Sequence, residues 1–159
     1  MDAETKQSSL REVVIHTDGA AVPNPGAGGY GVVLRFEQHK KELSGGYQRT
    51  TSNRMELMAA IVALEALKER CKVTLYSDSQ YVVESVVGGY ARRWRANDWS
   101  LTKDATKKAK NPDLWERLLA LCDRHEVELI WVKGHSGIAD NDRCDVLAMA
   151  ACKRPALLP

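Results

Sequence analysis

The first third of the chain alternates apolar and polar residues with the period of β-strands. A run of β-branched residues predicts a strand over 12–17, and apolar side chains at every second position predict another over 30–36. A third strand follows over 41–48, and the short polar connection before it favours antiparallel pairing. Its glycine pair at 45–46 indicates a bulge or a close backbone approach. The segment AVPNPGAGG, between the first two strands, is predicted to be an irregular loop.

The rest of the chain alternates helices with strands. Apolar periodicity predicts helices over 50–70, from 78 or 79 to 88, over 111–124 and over 142–152, and strands over 73–77 and 127–133. Helical connections before the fourth and fifth strands imply that these strands run parallel to their neighbours. The sequence therefore predicts an α/β fold, with a five-stranded mixed sheet (three antiparallel strands, two parallel) flanked by helices.

Length and composition favour one domain without a membrane segment. At 159 residues the chain is long enough for a single core, and we expect the domain to span residues 11–153. Residues 1–10 are expected to form a flexible polar tail that is not a signal peptide, and residues 154–159 are expected to fray. The longest apolar run, 57–64, is too short to cross a bilayer. The four cysteines form no CxxC pair, which favours free thiols and a cytoplasmic protein.

Positive charge is concentrated in one segment. The net charge is only +2, but residues 91–110 hold seven Lys or Arg and two Asp, which leaves a local charge of +5. Such a basic protrusion indicates contact with nucleic-acid phosphates, with a solvated basic face as the alternative. Its tryptophans either contact the substrate or anchor a protruding helix to the body. The candidate contacts are Arg92, Arg93, Trp94, Arg95 and Trp99.

Two acids stand where the pattern calls for buried residues. Asp18 follows an apolar strand, where a carboxylate is costly to bury unless it is paired or holds a cation. The alternative is that Asp18 and Gly19 form a turn. Glu56 lies opposite Glu65 on its predicted helix, on the face that a sheet should bury. Its alternative role is a capping box with Asn53.

Two further acids lie at the ends of predicted elements. Asp78 ends a strand, although it or Ser79 is also a plausible N-cap. Asp145 lies in the first turn of the last predicted helix, where acids also suit the helix dipole. Neighbouring parallel strands bring their carboxyl ends to the place where open α/β sheets have their sites. Converging acids would repel one another there unless divalent cations lay between them, and all-oxygen ligation selects Mg²⁺ or Mn²⁺.

These groups together suggest phosphodiester hydrolysis. Two cations would clamp a phosphodiester, activating a water on one side and stabilising the leaving oxygen on the other. His135, in a glycine-flanked loop, is a candidate proton shuttle, with an incidental loop histidine as the alternative.

Five segments of the chain resemble bacterial ribonuclease H of type 1. They are TDGA…NPGAGGYG, GGYQRTTSNRMELMAAIVALEAL, SDSQYV, NPDLWERL and WVKGHSGIADNDRCDVLA. The resemblance covers residues 11–152 and implies a ribonuclease H-like fold with helices on both faces of the sheet. It also implies Mg²⁺-dependent cleavage of the RNA strand of RNA/DNA hybrids, with Mn²⁺ as a substitute, leaving 5′-phosphate and 3′-hydroxyl ends.

The resemblance assigns roles to individual residues. The positions that match the family's metal-binding carboxylates are Asp18, Glu56, Asp78 and Asp145, and His135 matches its loop histidine. The positions that match contacts with the minor groove of the hybrid are Asn24, Asn53 and Gln80. The positions around the family's pocket for a DNA-strand phosphate are Arg49, Thr51 and Asn111.

Departures from the family pattern concern substrate binding. Ser52 replaces an asparagine that is common in the family, and the basic protrusion differs most, so hybrid affinity stays open. One alternative function is a non-catalytic nucleic-acid-binding module, which would have no need for the four acids. Another is a related metal nuclease that cuts DNA or resolves junctions, which the match over residues 50–60 disfavours. With no obvious dimer surface in the sequence, we expect a monomer.

Overall fold

The structure is a computed structural model that describes residues 10–155, which form five strands and five helices. The strands are β1 (Arg11–Ala21), β2 (Gly26–Phe36), β3 (His39–Thr50), β4 (Cys71–Ser77) and β5 (Glu126–Trp131). The helices are α1 (Ser52–Glu65), α2 (Gln80–Val87), α3 (Tyr90–Ala96), α4 (Pro112–Arg124) and α5 (Ala139–Lys153). Most of the expected tail over 1–10 and most of the expected frayed end over 154–159 lie outside the described residues.

The strands form one mixed sheet in the order β3-β2-β1-β4-β5. The pairs β1–β2 and β2–β3 are antiparallel, whereas β1–β4 and β4–β5 are parallel. This arrangement confirms the predicted fold class, because the helical connections supply the crossovers that parallel pairing requires. In the pairing of β1 with β4, Thr17 lies opposite Ser77, so the acids that follow them are neighbours at the centre of the sheet.

The glycines of residues 26–29 belong to β2, so the irregular loop predicted there is wrong over this part. They are in a strand because α5 packs closely on this part of the sheet. A Cβ at Gly29 would lie 2.6 Å from the carbonyl oxygen of Ala148, so glycine permits the approach of the two backbones. Gly46 of β3 lies equally close to the backbone of Ala151, which confirms the predicted close approach.

Helices cover both faces of the sheet, as expected. Val13 and Ile15 of β1 belong to the buried cluster that includes much of α1, whereas His16 faces α5, with its Nδ1 3.9 Å from Asp140 Oδ2. On the first face, α4 packs on α1 and contributes Trp115, which is fully buried. Packing between α1, α4 and the sheet therefore fixes the position of the start of α1 next to the ends of β1 and β4.

The remaining elements agree with the sequence pattern except at their limits. Helix α1 ends at Glu65, before the charged residues that the prediction included, and α5 begins three residues earlier than predicted. Helix α3, which lies inside the basic protrusion, was not predicted as an element with defined limits. No helix of the described part of the chain is long and apolar enough to cross a membrane. The free thiols, as predicted, are Cys71, Cys122, Cys144 and Cys152.

Candidate active site

Asp18 lies inside β1, at the centre of the sheet, and is only 6% exposed. The alternative of an Asp-Gly turn is wrong, because β1 continues to Ala21 and Gly19 pairs with Tyr30 of β2. Glycine is required at position 19 because the backbone of Met55 passes so close that a Cβ would collide with it. The Gly19 N–H also donates to Asp18 Oδ1 at 2.9 Å. This close approach brings the first turns of α1 next to Asp18.

Glu56 projects from α1 into the buried interface with the sheet. The capping-box alternative is wrong, because the N-cap is Thr51, whose Oγ1 accepts from the Arg54 N–H at 3.2 Å. Glu56 is 8% exposed, as its predicted position on the buried face requires, and its Oε2 is buried without a hydrogen-bond partner. A buried carboxylate oxygen without a partner is costly, so this group needs a proton or a cation.

Asp78 follows β4 and completes a cluster of three carboxylates. The N-cap of α2 is Ser79, whose Oγ accepts from the Val82 N–H at 3.2 Å, so the Asp78 side chain is not used for capping. Trp131 of β5 fixes the backbone here, because its Nε1 donates to the Asp78 carbonyl oxygen at 3.1 Å. The carboxylate cluster, which we define as Asp18, Glu56 and Asp78, has one oxygen of each residue within 4.8 Å of the others.

Burial and the repulsion of neighbouring charges raise the pKa of two acids of this carboxylate cluster, Asp18 and Glu56. Burial, followed by the charge of Asp78, raises the pKa of Asp18 to about 7. Burial, followed by the charge of Asp18, raises the pKa of Glu56 well above its usual range. The cluster therefore holds protons at pH values where exposed carboxyl groups are ionised, and a divalent cation would displace them.

Asp145 lies on α5 near the carboxylate cluster but outside the group of three. Because α5 begins at Ala139, Asp145 occupies the second turn of the helix, and the first-turn acids are Asp140 and Asp142. The predicted first-turn position is therefore wrong, and with it the argument that Asp145 serves the helix dipole. The charge of Asp145 is the smallest of the causes that raise the pKa of Asp18. Three of the four predicted acids thus meet, and the fourth lies close by.

The carboxylate cluster fits a hard divalent cation. Its donors are oxygen atoms throughout, with no histidine or cysteine among the three residues. Positive charge would stabilise the unpartnered Oε2 of Glu56. It would also favour the ionised forms of Asp18 and Glu56, whose pKa values are raised. Oxygen ligands of this kind suit Mg²⁺ and Mn²⁺ better than zinc.

The loop that carries His135 packs against this cluster. His135 is exposed, between β5 and α5, and has a left-handed backbone with φ of 56°. The preceding residue, Gly134, contacts Asp78: a Cβ on Gly134 would lie 2.8 Å from Asp78 Oδ2. The loop is therefore anchored beside the carboxylates while the histidine faces solvent.

The residues predicted to contact a minor groove are all exposed. Asn24 precedes β2, and its Oδ1 accepts from the Ser52 N–H at the start of α1 at 3.2 Å. Asn53 is exposed three residues before Glu56, and Gln80 is exposed at the start of α2, just after Asp78. All three side chains are therefore accessible to a ligand, and Asn24 contacts the start of the helix that carries Glu56.

Arg54 connects two of the residues that were predicted around a phosphate pocket, Thr51 and Asn111. Thr51 caps α1 and accepts from the backbone N–H of Arg54, while the Arg54 side chain donates from Nη1 to Asn111 Oδ1 at 3.1 Å. Arg49, the remaining predicted member, is exposed near the end of β3, two residues before Thr51. Thr51 and Asn111 therefore lie at a contact between the starts of α1 and α4, and the phosphate pocket stays a prediction.

The tryptophans of the basic protrusion pack inward. Trp94 and Trp99 both pack against the hydrophobic core, and the Trp94 ring meets Trp115 edge-on with centroids 6.0 Å apart. The predicted alternative in which tryptophans anchor the protrusion therefore describes this packing, although both rings are only partly buried.

The arginines of the protrusion are partly engaged within the protein. Arg92 and Arg95 both pair with Asp123 of α4, with N–O distances of 2.8 and 3.3 Å. The Arg93 guanidinium lies over the Tyr90 ring, 4.6 Å from its centroid. These contacts hold Arg92 and Arg95 against α4, whereas Arg93 stacks on a residue of α3 itself.

Sequence reasoning missed the residues that support the carboxylate cluster without belonging to it. Gly134 was visible in the segment KGHSG, but its contact with Asp78 needs the fold. Trp131 had no signal apart from its aromatic character, and Arg54 gave no signal on its helix.

The buried carboxylate cluster at the centre of this mixed sheet could bind a divalent cation, which is typical of a metal-dependent enzyme. A family model for RNase H matches residues 10–153, so the chain belongs to the ribonuclease H family, and it is an endoribonuclease. It is 58% identical to Ribonuclease H of Syntrophus aciditrophicus (strain SB) over 98% of this chain and 88% of that protein. It is 56% identical to Ribonuclease H of Desulforamulus reducens (strain ATCC BAA-1160 / DSM 100696 / MI-1) over 96% and 94%.

A solved structure confirms the fold. LC9-RNase H1, described as a type 1 RNase H with the type 2 active-site motif, superposes with a TM-score of 0.82 at 25% sequence identity. The match covers 92% of this chain and 74% of that chain. The predicted ribonuclease H-like fold is therefore confirmed by sequence relatives and by structure.

Proposed function

We propose that this chain hydrolyses the RNA strand of RNA/DNA hybrids in a reaction that depends on divalent cations. The observation that carries the proposal is the buried carboxylate cluster of Asp18, Glu56 and Asp78 in a chain of the ribonuclease H family. A protein that only binds nucleic acid has no use for negative charge gathered where phosphates must lie. The name that its relatives carry points to the same activity.

The carboxylate cluster would hold the cations, with Asp145 contributing from α5. Mg²⁺ is the proposed cofactor and Mn²⁺ the proposed substitute, because both favour carboxylate oxygens. Two such cations, when bound, supply Lewis acidity to an attacking water and to a departing oxygen. The protein's own part is to hold the carboxylates rigidly, as the Gly19 N–H does for Asp18 at 2.9 Å.

We propose that the products are 5′-phosphate and 3′-hydroxyl ends. The oxygen of a water molecule bonds to phosphorus, the bond from phosphorus to O3′ breaks, and O3′ takes up a proton. His135 is the proposed carrier of that proton, because imidazole gains and loses protons near neutral pH. The support for this role is its exposed position in a loop anchored to Asp78 through Gly134.

Selecting RNA requires contacts with 2′-hydroxyl groups, which DNA lacks. We propose that Asn24, Asn53 and Gln80 make these contacts, since all three are exposed. A DNA-strand phosphate is the proposed ligand of Arg49, Thr51 and Asn111. The basic protrusion would add attraction to the backbone that does not depend on base sequence and weakens with salt.

We further propose that the protein acts as a monomer in the cytoplasm. Four free cysteines suit a reducing compartment, which supports this location. Sedimentation of the purified protein at micromolar concentration measures the oligomeric state, and a dimer would contradict the proposal.

The first experiment is a cleavage assay on a hybrid labelled on its RNA strand, with Mg²⁺, with Mn²⁺ and with EDTA. Single-stranded RNA, duplex RNA and duplex DNA serve as controls. We expect metal-dependent loss of the hybrid's RNA with the controls intact. Tight hybrid binding without cleavage in either metal would refute the proposal and favour a binding module, and cleavage of duplex DNA would favour a nuclease of different specificity.

A further inference from the structure

A hydrogen-bonded network connects the helix that carries Glu56 with the helix that follows the basic protrusion. It begins at Arg54, two residues before Glu56 on α1. Its guanidinium donates from Nη1 to Asp113 Oδ1 at 3.1 Å and from Nη2 to Asp113 Oδ2 at 2.7 Å. Nη1 also donates to Asn111 Oδ1 at 3.1 Å. Such a two-pronged contact fixes direction as well as distance, which a lysine in the same place would not do.

Asn111 is the next link in the network. Its backbone is left-handed, with φ of 59° and ψ of 41°, a conformation that costs energy for a residue other than glycine. Although it is the N-cap of α4, its side chain makes no capping hydrogen bond. Its amide is held at both ends instead, because Oδ1 accepts from Arg54 and Nδ2 donates to Tyr81 Oη at 3.3 Å. The network thus selects one orientation of Asn111.

Two aromatic residues carry the network to the basic protrusion. Trp115 Nε1 donates at 2.8 Å to the same Tyr81 oxygen that Asn111 contacts. The buried Trp115 ring meets the Trp94 ring of α3 edge-on, at 6.0 Å between centroids. A continuous series of contacts therefore runs from the Arg54 guanidinium on α1 to the Trp94 ring on α3.

We propose that Arg54 is a positioning residue that sets the basic protrusion and Asn111 in register with the carboxylate cluster. This inference rests on the proposed function, because a duplex must then contact the cluster and the protrusion at once. A rigid, pre-aligned surface binds better than one that must be ordered on binding. Arg54 acts through Asn111 and Asp113, which its side chain contacts, and it needs no contact with the substrate.

A second ion pair between the same helices provides a matched control. Arg117 of α4 donates from Nη2 to Glu65 Oε1 and Oε2 at 3.1 and 3.2 Å. Both this pair and the Arg54–Asp113 pair are partly exposed, so each is expected to add little to overall stability. Glu65 lies at the far end of α1 from Arg54, about 16 Å along the helix. Losing the Arg117 pair removes an α1–α4 contact without touching Asn111.

The test compares hybrid affinity and kinetics across Arg54→Met, Arg54→Lys, Asp113→Asn and Arg117→Met. The dissociation constant is measured by fluorescence anisotropy in EDTA, and KM and kcat with Mg²⁺. We expect about a tenfold rise in the dissociation constant and KM for the first three variants, with kcat within about twofold and Arg117→Met unchanged. Thermal midpoints are expected to fall equally little in Arg54→Met and Arg117→Met.

Several results would overturn the positioning role. One is equal affinity in Arg54→Met and Arg117→Met. Another is full recovery of affinity by Arg54→Lys, which would mean that charge near a phosphate is all that matters. If Arg54→Met does not fold, Asp113→Asn serves as the same test, because Asp113 is exposed and its substitution removes the same ion pair. Unchanged affinity in that variant would also refute the role.

A double-mutant comparison separates this inference from the proposed function. In a background with Arg92, Arg93 and Arg95 changed to glutamine, Arg54→Met should weaken hybrid binding less than it does in the unaltered protein, because the arginine contacts that it positions are gone and only Asn111 remains. An undiminished effect would refute the inference. Absence of cleavage by the unaltered protein would refute the proposed function, whereas the anisotropy measurements would still decide the role of Arg54.

Discussion

Removing the charge of Asp18 should stabilise the cation-free protein at neutral and alkaline pH. Burial and then the charge of Asp78 raise the pKa of Asp18 from 3.8 to about 7. Ionising this carboxyl group therefore costs free energy in the folded state that the unfolded chain does not incur. At 1.36 kcal/mol for each tenfold change in proton affinity, the raised pKa corresponds to about 4 kcal/mol.

The sign of the pH dependence follows from proton linkage. Because the folded pKa of Asp18 lies above the unfolded value, the folded state binds more protons between 3.8 and about 7, and stability falls as pH rises through that range. Asp18→Asn keeps the shape of the side chain but cannot ionise. Its gain should be near zero at about pH 4 and should approach about 4 kcal/mol at about pH 8.

Urea unfolding in EDTA at these two pH values measures the effect. Asp123→Asn is a control of opposite sign, since hydrogen bonding to Arg92 lowers the pKa of Asp123. That variant should be less stable than the unaltered protein at pH 8, and its loss should be smaller at pH 4, where Asp123 of the unfolded chain begins to take up a proton. Added Mg²⁺ should shrink the advantage of Asp18→Asn, because cations stabilise the intact carboxylate cluster. If Asp18→Asn gains no stability at pH 8 in EDTA, the burial cost assigned to Asp18 is wrong.

Four further predictions concern activity and folding. Asp18→Asn should abolish cleavage while keeping hybrid binding, as a cleavage and a binding assay measure, and an active variant would exclude the carboxylate mechanism. His135→Ala should lower kcat about a hundredfold with little change in KM, and an unchanged kcat in steady-state kinetics would remove its role in proton transfer. Gly19→Ala should destabilise the protein by about 1–3 kcal/mol in urea unfolding, because its Cβ meets the backbone of α1; a neutral change would contradict that close approach. Glutamines in place of the three arginines of α3 should raise KM and weaken its dependence on salt concentration. An unchanged salt dependence would mean that other residues bind the phosphates. These arginines are Arg92, Arg93 and Arg95.

The position of Glu56 could be predicted because helical periodicity is a geometric property of the local sequence. A residue opposite Glu65 must face inward wherever the helix packs, and Glu56 is 8% exposed as expected. The identity of the cap could not be settled in the same way. Thr51, Ser52 and Asn53 are all suitable N-caps, and the choice depends on where the preceding strand ends.

The errors in the first two strands have a tertiary cause. Local propensity associates Asp-Gly and Gly-rich segments with turns, and it has no information about a neighbouring backbone. Gly19 lies in a strand because α1 passes over it, and Gly29 lies in a strand because α5 does. Each glycine provides the space for a helix that is distant in sequence, so its meaning becomes visible only in the folded chain.

The start of α5 lacks a cap that can be read from the local sequence. The residue that caps it, Ile138, offers no side-chain hydrogen bond, so the usual start signal is missing. With the helix starting at Ala139, Asp140 pairs with Arg35 at 2.6 Å, and Asp145 moves to the second turn. A helix whose first turn is fixed by an ion pair to a distant strand cannot be delimited from its own sequence.

The same energetics explain why the acids were the most informative residues in the sequence. Burying Glu56 with an unpartnered oxygen beside Asp18 works against folding, and an apolar side chain at position 56 would stabilise the cation-free fold. Within the cluster, Asp78 adds repulsion to both. This cost is offset only when a cation binds. The arrangement that lowers the stability of the cation-free protein therefore raises its affinity for divalent cations. Stability of the empty protein and metal affinity are therefore opposed at the same three residues, and a variant that gains one is expected to lose the other.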